Sequence, residues 1–165
     1  MDITRLSANY TILSLTEKDI PVLLSLCEGN PQFYRYCPPA PSEASLRQDM
    51  LALPPGKTME DKFYLGFWLD GKLAAVLDLI LRFPNEKTAF IGFFMLRSDL
   101  QGRGVGSQLV NEICTCLRDS YQFIRLGYAK GNPQSQRFWH KNGFVPTGVI
   151  AHTEEYDIVM MEKLL

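Results

Sequence analysis

The residues best suited to chemistry are Gln101-Gly102-Arg103-Gly104-Val105-Gly106-Ser107, placed between an apolar strand and an amphipathic helix. Glycines there leave backbone N–H groups bare, and the start of the helix adds the positive end of its dipole. Such a loop is built to hold phosphate oxygens, with Arg103 adding charge at the rim. A Walker loop needs Gly-Lys-Ser/Thr, which is absent. A dinucleotide fingerprint needs G-x-G-x-x-G after the first strand, whereas the spacing here is G-x-G-x-G, far along the chain. Three alternate glycines exceed what a plain turn requires.

Other reactive types are sparse. Asp78 stands in the otherwise apolar run Leu73–Leu81. A carboxylate there is costly unless it is paired or faces a wet cleft. It is either a catalytic or ligand-binding group or a structural aspartate satisfied by backbone or a cation. Cys27, Cys37, Cys114 and Cys116 have neither zinc-knuckle spacing nor a disulfide framework, and they read as packing or surface thiols. His152, Glu154, Glu155 and Tyr156 lie together between two strands but offer too few ligands for a metal. No metal is expected.

These residues need a frame, and the periodicities supply one. Tyr10–Leu15 reads as an opening strand, and Thr16, with Asp19 three residues on, starts a helix with the apolar stripe Ile20, Leu23, Leu24 and Cys27. Gly29-Asn30-Pro31 ends it, and a turn-rich stretch follows with Phe33, Tyr34 and Tyr36. Ser42 caps a second helix expected to run to Leu53. Phe63–Leu69, Asp70-Gly71 and Lys72–Phe83 form a hairpin with a type I′ turn signal, and Thr88–Leu96 is a third strand. Val105, Leu109, Ile113 and Leu117 recur along the helix after the glycine loop. Phe123–Tyr128 is a strand, Asn132-Pro133 opens a last helix, and Phe144–Val149 and Asp157–Lys163 close the chain as strands. The order is β-α-α-β-β-β-α-β-α-β-β, an α/β (α+β) arrangement around a mixed sheet.

The chain has 165 residues, 46% hydrophobic and 21% charged, with a net charge of -1. That composition belongs to one globular domain, residues 1–165, and excludes disorder and collagen. It gives no electrostatic footprint for nucleic acid or an anionic membrane. The start, MDITRLSANY, lacks the basic and apolar regions of a secretory signal, so a cytoplasmic protein is expected.

Gln101-x-x-Gly104-x-Gly106 resembles the pyrophosphate-binding signature of the GNAT superfamily, the GCN5-related N-acetyltransferases. Asn132-Pro133-Gln134-Ser135, followed by Phe138-Trp139 and Gly143-Phe144, resembles that family's second motif, in the same order and about one helix and one strand downstream. The resemblance implies a GNAT fold of about seven strands, mostly antiparallel and splayed at the acyl-CoA site, with about four helices. It implies acetyl-CoA, or another acyl-CoA, as donor and an amine of a small molecule or peptide as acceptor. It also implies backbone hydrogen bonds from Phe94, Met95 and Leu96 to the pantetheine arm, with the Leu96 N–H as oxyanion donor. The amides of Gln101 to Ser107 would hold the pyrophosphate, and Asn132, Ser135 and Trp139 would lie beside the arm. Arg97, Lys130, Arg137 and Lys141 are candidates for the 3′-phosphate or plain surface charges. Family members are often monomers or homodimers.

Two departures stand out. A lysine-like amine is protonated at neutral pH and needs a base before it attacks a thioester. Many family members place a glutamate on the strand before the loop, but Thr88–Leu96 holds no acid, which makes Asp78 the candidate base or acceptor ligand. Trp139 stands where a tyrosine acid is common, and indole cannot donate that proton. Tyr128 and His140 are possible replacements. Tyr34 and Tyr36 are candidates for the acceptor mouth. The expected activity is direct N-acetyl transfer; the alternative is a non-catalytic acyl-CoA-binding, sensing module.

Overall fold

Val105, Leu109, Ile113 and Leu117 do share one face of a helix, and that face is fully committed to the sheet. In the computed structural model, which describes residues 2–165, the helices are α1 (Ile20–Glu28), α2 (Pro31–Tyr34), α3 (Glu43–Leu51), α4 (Val105–Leu117) and α5 (Pro133–Lys141). The strands are β1 (Thr11–Ser14), β2 (Lys62–Leu69), β3 (Lys72–Ile80), β4 (Thr88–Leu96), β5 (Phe123–Ala129), β6 (Val145–His152) and β7 (Asp157–Leu164). The sheet order is β1-β2-β3-β4-β5-β7-β6. Every pair is antiparallel except β4 with β5.

Local chemistry accounts for the boundaries. Thr16 and Asp19 form the expected reciprocal cap, with the Thr16 amide donating to Asp19 Oδ2 at 2.8 Å. The turn-rich stretch after α1 contains one helical turn, α2, which the turn residues had concealed. The helix capped by Ser42 stops at Leu51 rather than Leu53, because Ala52 is already extended and Leu53 precedes a proline. Asp70 and Gly71 both take positive φ, as a type I′ hairpin demands. β3 ends at Ile80 rather than Phe83, since Arg82 turns the chain with φ 55°.

Two cores cover the two faces of the sheet. On one, Leu109, Ile113 and Leu117 of α4 and Trp139 of α5 pack on Leu65, Leu77, Leu79 and Ile124. On the other, Ile20, Leu23 and Cys27 of α1 and Leu46 of α3 pack on Tyr64, Val76 and Met95. β3 lies between both layers and is buried from Leu73 to Ile80, so its sequence is a continuous apolar run rather than an alternating one. Asp78 is its single break.

Candidate functional site

β4 and β5 stay paired only from Thr88↔Phe123 to Ile91↔Leu126, and beyond that they diverge. The cause lies on the other side of β4. Asp78 pairs with Phe93 but Leu79 pairs with Ile91, which leaves Gly92 as an extra residue in a β-bulge. A bulge bends its strand, and this one follows the last residue that β4 pairs with β5. The parting strands leave a cleft of about 450 Å³.

The divergence frees backbone groups. The Arg97 amide donates to Ala74 O at 2.8 Å, so Met95 also faces β3. Alternation turns the N–H and C=O of Phe94 and Leu96 towards the cleft. The Leu96 carbonyl is then held from that side by Gln101 Nε2 at 3.0 Å and Asn30 Nδ2 at 3.3 Å. Gln101 Nε2 also donates to Asn30 Oδ1 at 2.6 Å, and its Oε1 accepts from Gln134 Nε2 at 3.1 Å. Gln101, read from sequence as a backbone contributor, is therefore also a side-chain clamp joining β4, α1 and α5. Asn30 belongs to the same clamp and was concealed in a helix-terminating Gly-Asn-Pro.

The glycine loop ends at Gly104, whose φ of 84° puts it in the left-handed region where glycine carries no penalty. Gly104 is the N-cap of α4, and no side chain caps that helix. The amides of Val105, Gly106 and Ser107 precede the first intrahelical donor, Gln108, which bonds to Gly104 O at 3.0 Å. α5 differs: Asn132 Oδ1 accepts from the Gln134 and Ser135 amides, both at 3.1 Å. Open space surrounds Gly102 and Gly104, whereas a Cβ on Gly106 would come within 3.1 Å of Phe138 Cε2. The first two glycines leave a cradle free, and the third lets α5 pack against α4. These uncapped donors suit an anionic phosphate.

Of the residues expected at the site, Phe94, Met95, Leu96, Gln101, Gly102, Gly104, Gly106, Ser107, Asn132, Ser135 and Trp139 line the cleft. Arg103 and Val105 do not; Arg103 is exposed, and Val105 packs on the core. Of the four basic candidates only Lys141 lines it. Arg97 is paired with Asp99 at 2.6 Å, and Lys130 with Asp157 at 3.4 Å. Tyr34 and Tyr36 do not line the cleft. Phe33 and Cys37 do, because one turn of helix puts residues 33 and 37 on the same side. Tyr34 instead packs on the α1 core beside Cys27. His140 is exposed, and Tyr128, buried in β5, lines the cleft.

Asp78 lies behind Gly92 and outside the cleft lining. Its Oδ2 accepts from Lys62 Nζ at 2.8 Å, and the same ammonium donates to Ala52 O at 2.9 Å. Burial pushes the Asp78 carboxyl up, and Lys62 draws it back. Its Oδ1 is buried without a partner. At the far end of the cleft the Cys37 thiol and the Tyr156 hydroxyl are neighbours, and burial raises the thiol to about 11 and the phenol to about 12. His152 Nδ1 sits 2.6 Å from Asp157 Oδ1. Among the described residues no cluster of side chains could hold a metal, and no helix is long and apolar enough to cross a membrane.

The model of the acetyltransferase (GNAT) family matches residues 26–144. The chain belongs to the GNAT acetyltransferase family. Solved structures agree with this GNAT fold. An acetyltransferase from Thermus thermophilus is 21% identical with a TM-score of 0.75, covering 95% of this chain and 97% of its own. The ribosomal-protein-S18-alanine N-acetyltransferase from Escherichia coli is 17% identical with a TM-score of 0.67, covering 93% and 92%. A PaiA N-acetyltransferase from Thermoplasma acidophilum, in complex with coenzyme A, is 18% identical with a TM-score of 0.67, covering 94% and 98%. No curated protein matches the sequence. The expected seven-stranded, mostly antiparallel GNAT sheet is present, with five helices rather than four because α2 is a separate turn.

Proposed function

We propose that this GNAT protein is an N-acetyltransferase that takes its acetyl group from acetyl-CoA and passes it to an amine. The observation that carries the reading is the uncapped N-terminus of α4 opening into a cleft that also receives the backbone of Phe94 and Leu96, beyond the point where β4 pairs with β5. Acetyl-CoA supplies an activated thioester. The amides of Gly104 to Ser107 would hold its pyrophosphate, and Asn132 and Ser135 flank the arm. The Leu96 N–H, on the residue whose own carbonyl is held by Gln101 and Asn30, is the oxyanion donor. Asp78 serves this site by shaping the Gly92 bulge rather than by taking a proton, since its carboxylate is committed to Lys62.

The similar structures described as N-acetyltransferases, one of them acting on a ribosomal-protein alanine, support nitrogen as the atom acetylated. The test is free-thiol release from acetyl-CoA against polyamines, amino acids, peptide N-termini, lysine peptides, aminoglycosides and arylamines. Release that depends on one amine class supports the enzyme. Acetyl-CoA binding with no release across the panel favours the sensing module.

A further inference from the structure

The phosphate cradle lies on the α4–α5 side of the sheet, and the same cleft continues to a chamber on the other side. Phe33 and Phe93 pack there against the α1–α3 core, with ring centroids 5.8 Å apart at 69°. The Cys37 amide donates to Phe33 O at 3.1 Å, and the Cys37 thiol meets the Tyr156 hydroxyl. Ile158 follows on β7, close enough to β5 that a Cβ on Gly127 would come within 2.5 Å of its Cγ2. Phe33, Cys37, Phe93, Tyr156 and Ile158 all line the one cleft.

No aspartate or glutamate among the described residues lines that cleft; Lys141 is the charged residue that does. The surrounding carboxylates are placed elsewhere. Asp78 is behind Gly92 and paired with Lys62, Asp157 is paired with Lys130 and His152, and Glu154 and Glu155 are exposed. Glu155 and Asp49, the latter on α3, are near enough to raise the Tyr156 phenol, but neither lines the cleft. The ionisable groups facing the chamber are the Cys37 thiol and the Tyr156 phenol, both kept neutral by burial. An ammonium entering here loses water and meets no carboxylate in the lining to pair with. An alkylamine of lysine-like basicity is neutral in only about one molecule in a thousand near pH 7.4.

We infer that the acceptor is a weakly basic amine carried on an aromatic or other apolar body, received between Phe33, Phe93 and the Cys37–Tyr156 pair. The inference rests on the acetyl-CoA reading of the cleft. A nitrogen that arrives neutral needs no carboxylate base. Its lone pair forms the N–C bond as the C–S bond breaks, and the proton it sheds passes through solvent to the departing thiolate.

The experiment compares 4-methoxyaniline with 4-methoxybenzylamine, which share a ring and differ in basicity, by thiol release from acetyl-CoA with the intact protein. At about pH 7 the aniline should have a kcat/KM at least about tenfold higher and nearly flat to about pH 9, while that of the benzylamine climbs about tenfold per pH unit. Cys37→Asp adds a carboxylate and should move the ratio about tenfold towards the benzylamine. Phe33→Ala should raise KM for the aniline without changing acetyl-CoA affinity. A benzylamine favoured at neutral pH, a ratio unmoved by Cys37→Asp, or rejection of both amines by protein that binds acetyl-CoA overturns the inference. Failure to bind acetyl-CoA by calorimetry instead overturns the reading beneath it.

Discussion

Asp78 stands where a side chain on residue 92 would have to go: a Cβ on Gly92 would come within 2.5 Å of Asp78 Oδ2. The carboxylate, its Lys62 partner and the absent side chain form one unit, and that unit coincides with the bulge that turns β4 away from β5. The cleft thus opens at the point on β4 that faces a buried ion pair bridging β2 and β3.

Gly92→Ala should destabilise the protein by about 1–3 kcal/mol in denaturant unfolding, as overpacking against an immovable neighbour does. Combining it with Asp78→Ala and Lys62→Met should give back most of that loss, because the three positions couple.

Asp78→Asn should cost about 3 kcal/mol by leaving the Lys62 ammonium buried without a counter-charge. Adding Lys62→Met should recover much of it. Turnover per folded molecule should fall less than about tenfold. A much larger loss of turnover at unchanged stability would return Asp78 to the role of base.

Gln101→Ala removes one of the two donors on the Leu96 carbonyl. A hydrogen bond worth about 1 kcal/mol predicts a loss of kcat of about fivefold to tenfold, with acetyl-CoA affinity nearly intact. Steady-state kinetics beside calorimetry separate the two effects.

At the tip of the β6–β7 hairpin, the His152 ring beside Asp157 holds that carboxyl below the usual range, with Lys130 assisting. A carboxyl so depressed contributes stability above its unfolded pKa, and the contribution is lost as pH falls through the folded value. Carbon-13 NMR should find Asp157 titrating below an ordinary aspartate, and His152→Asn should move it back upward.

Much of this was legible in the chain. The α4 stripe, the Asp70-Gly71 turn, the Asn132 cap and the glycine loop are local signals, and each acts within a few residues of where it is written. The Gln101–Asn30 clamp joins residues far apart in the chain, and a helix-ending Asn-Pro gives no sign of it. Phe33, Cys37 and Tyr156 meet only because α2 and the last hairpin converge on one end of the sheet. Asp78 was visible as an anomaly, but its partner Lys62, which reaches it across the β2–β3 register, was not.

The central claim is that the uncapped start of α4 holds the pyrophosphate of acetyl-CoA, and calorimetric titration of the wild-type protein beside Gly104→Trp tests it most directly. Gly104 has open space around it, and a tryptophan there would fill the cradle. The account predicts one acetyl-CoA site per chain in the wild type and an affinity at least about a hundredfold lower in a folded variant, a difference of about 2.7 kcal/mol. Equal affinity in the two proteins, or no binding to the wild type, would contradict it.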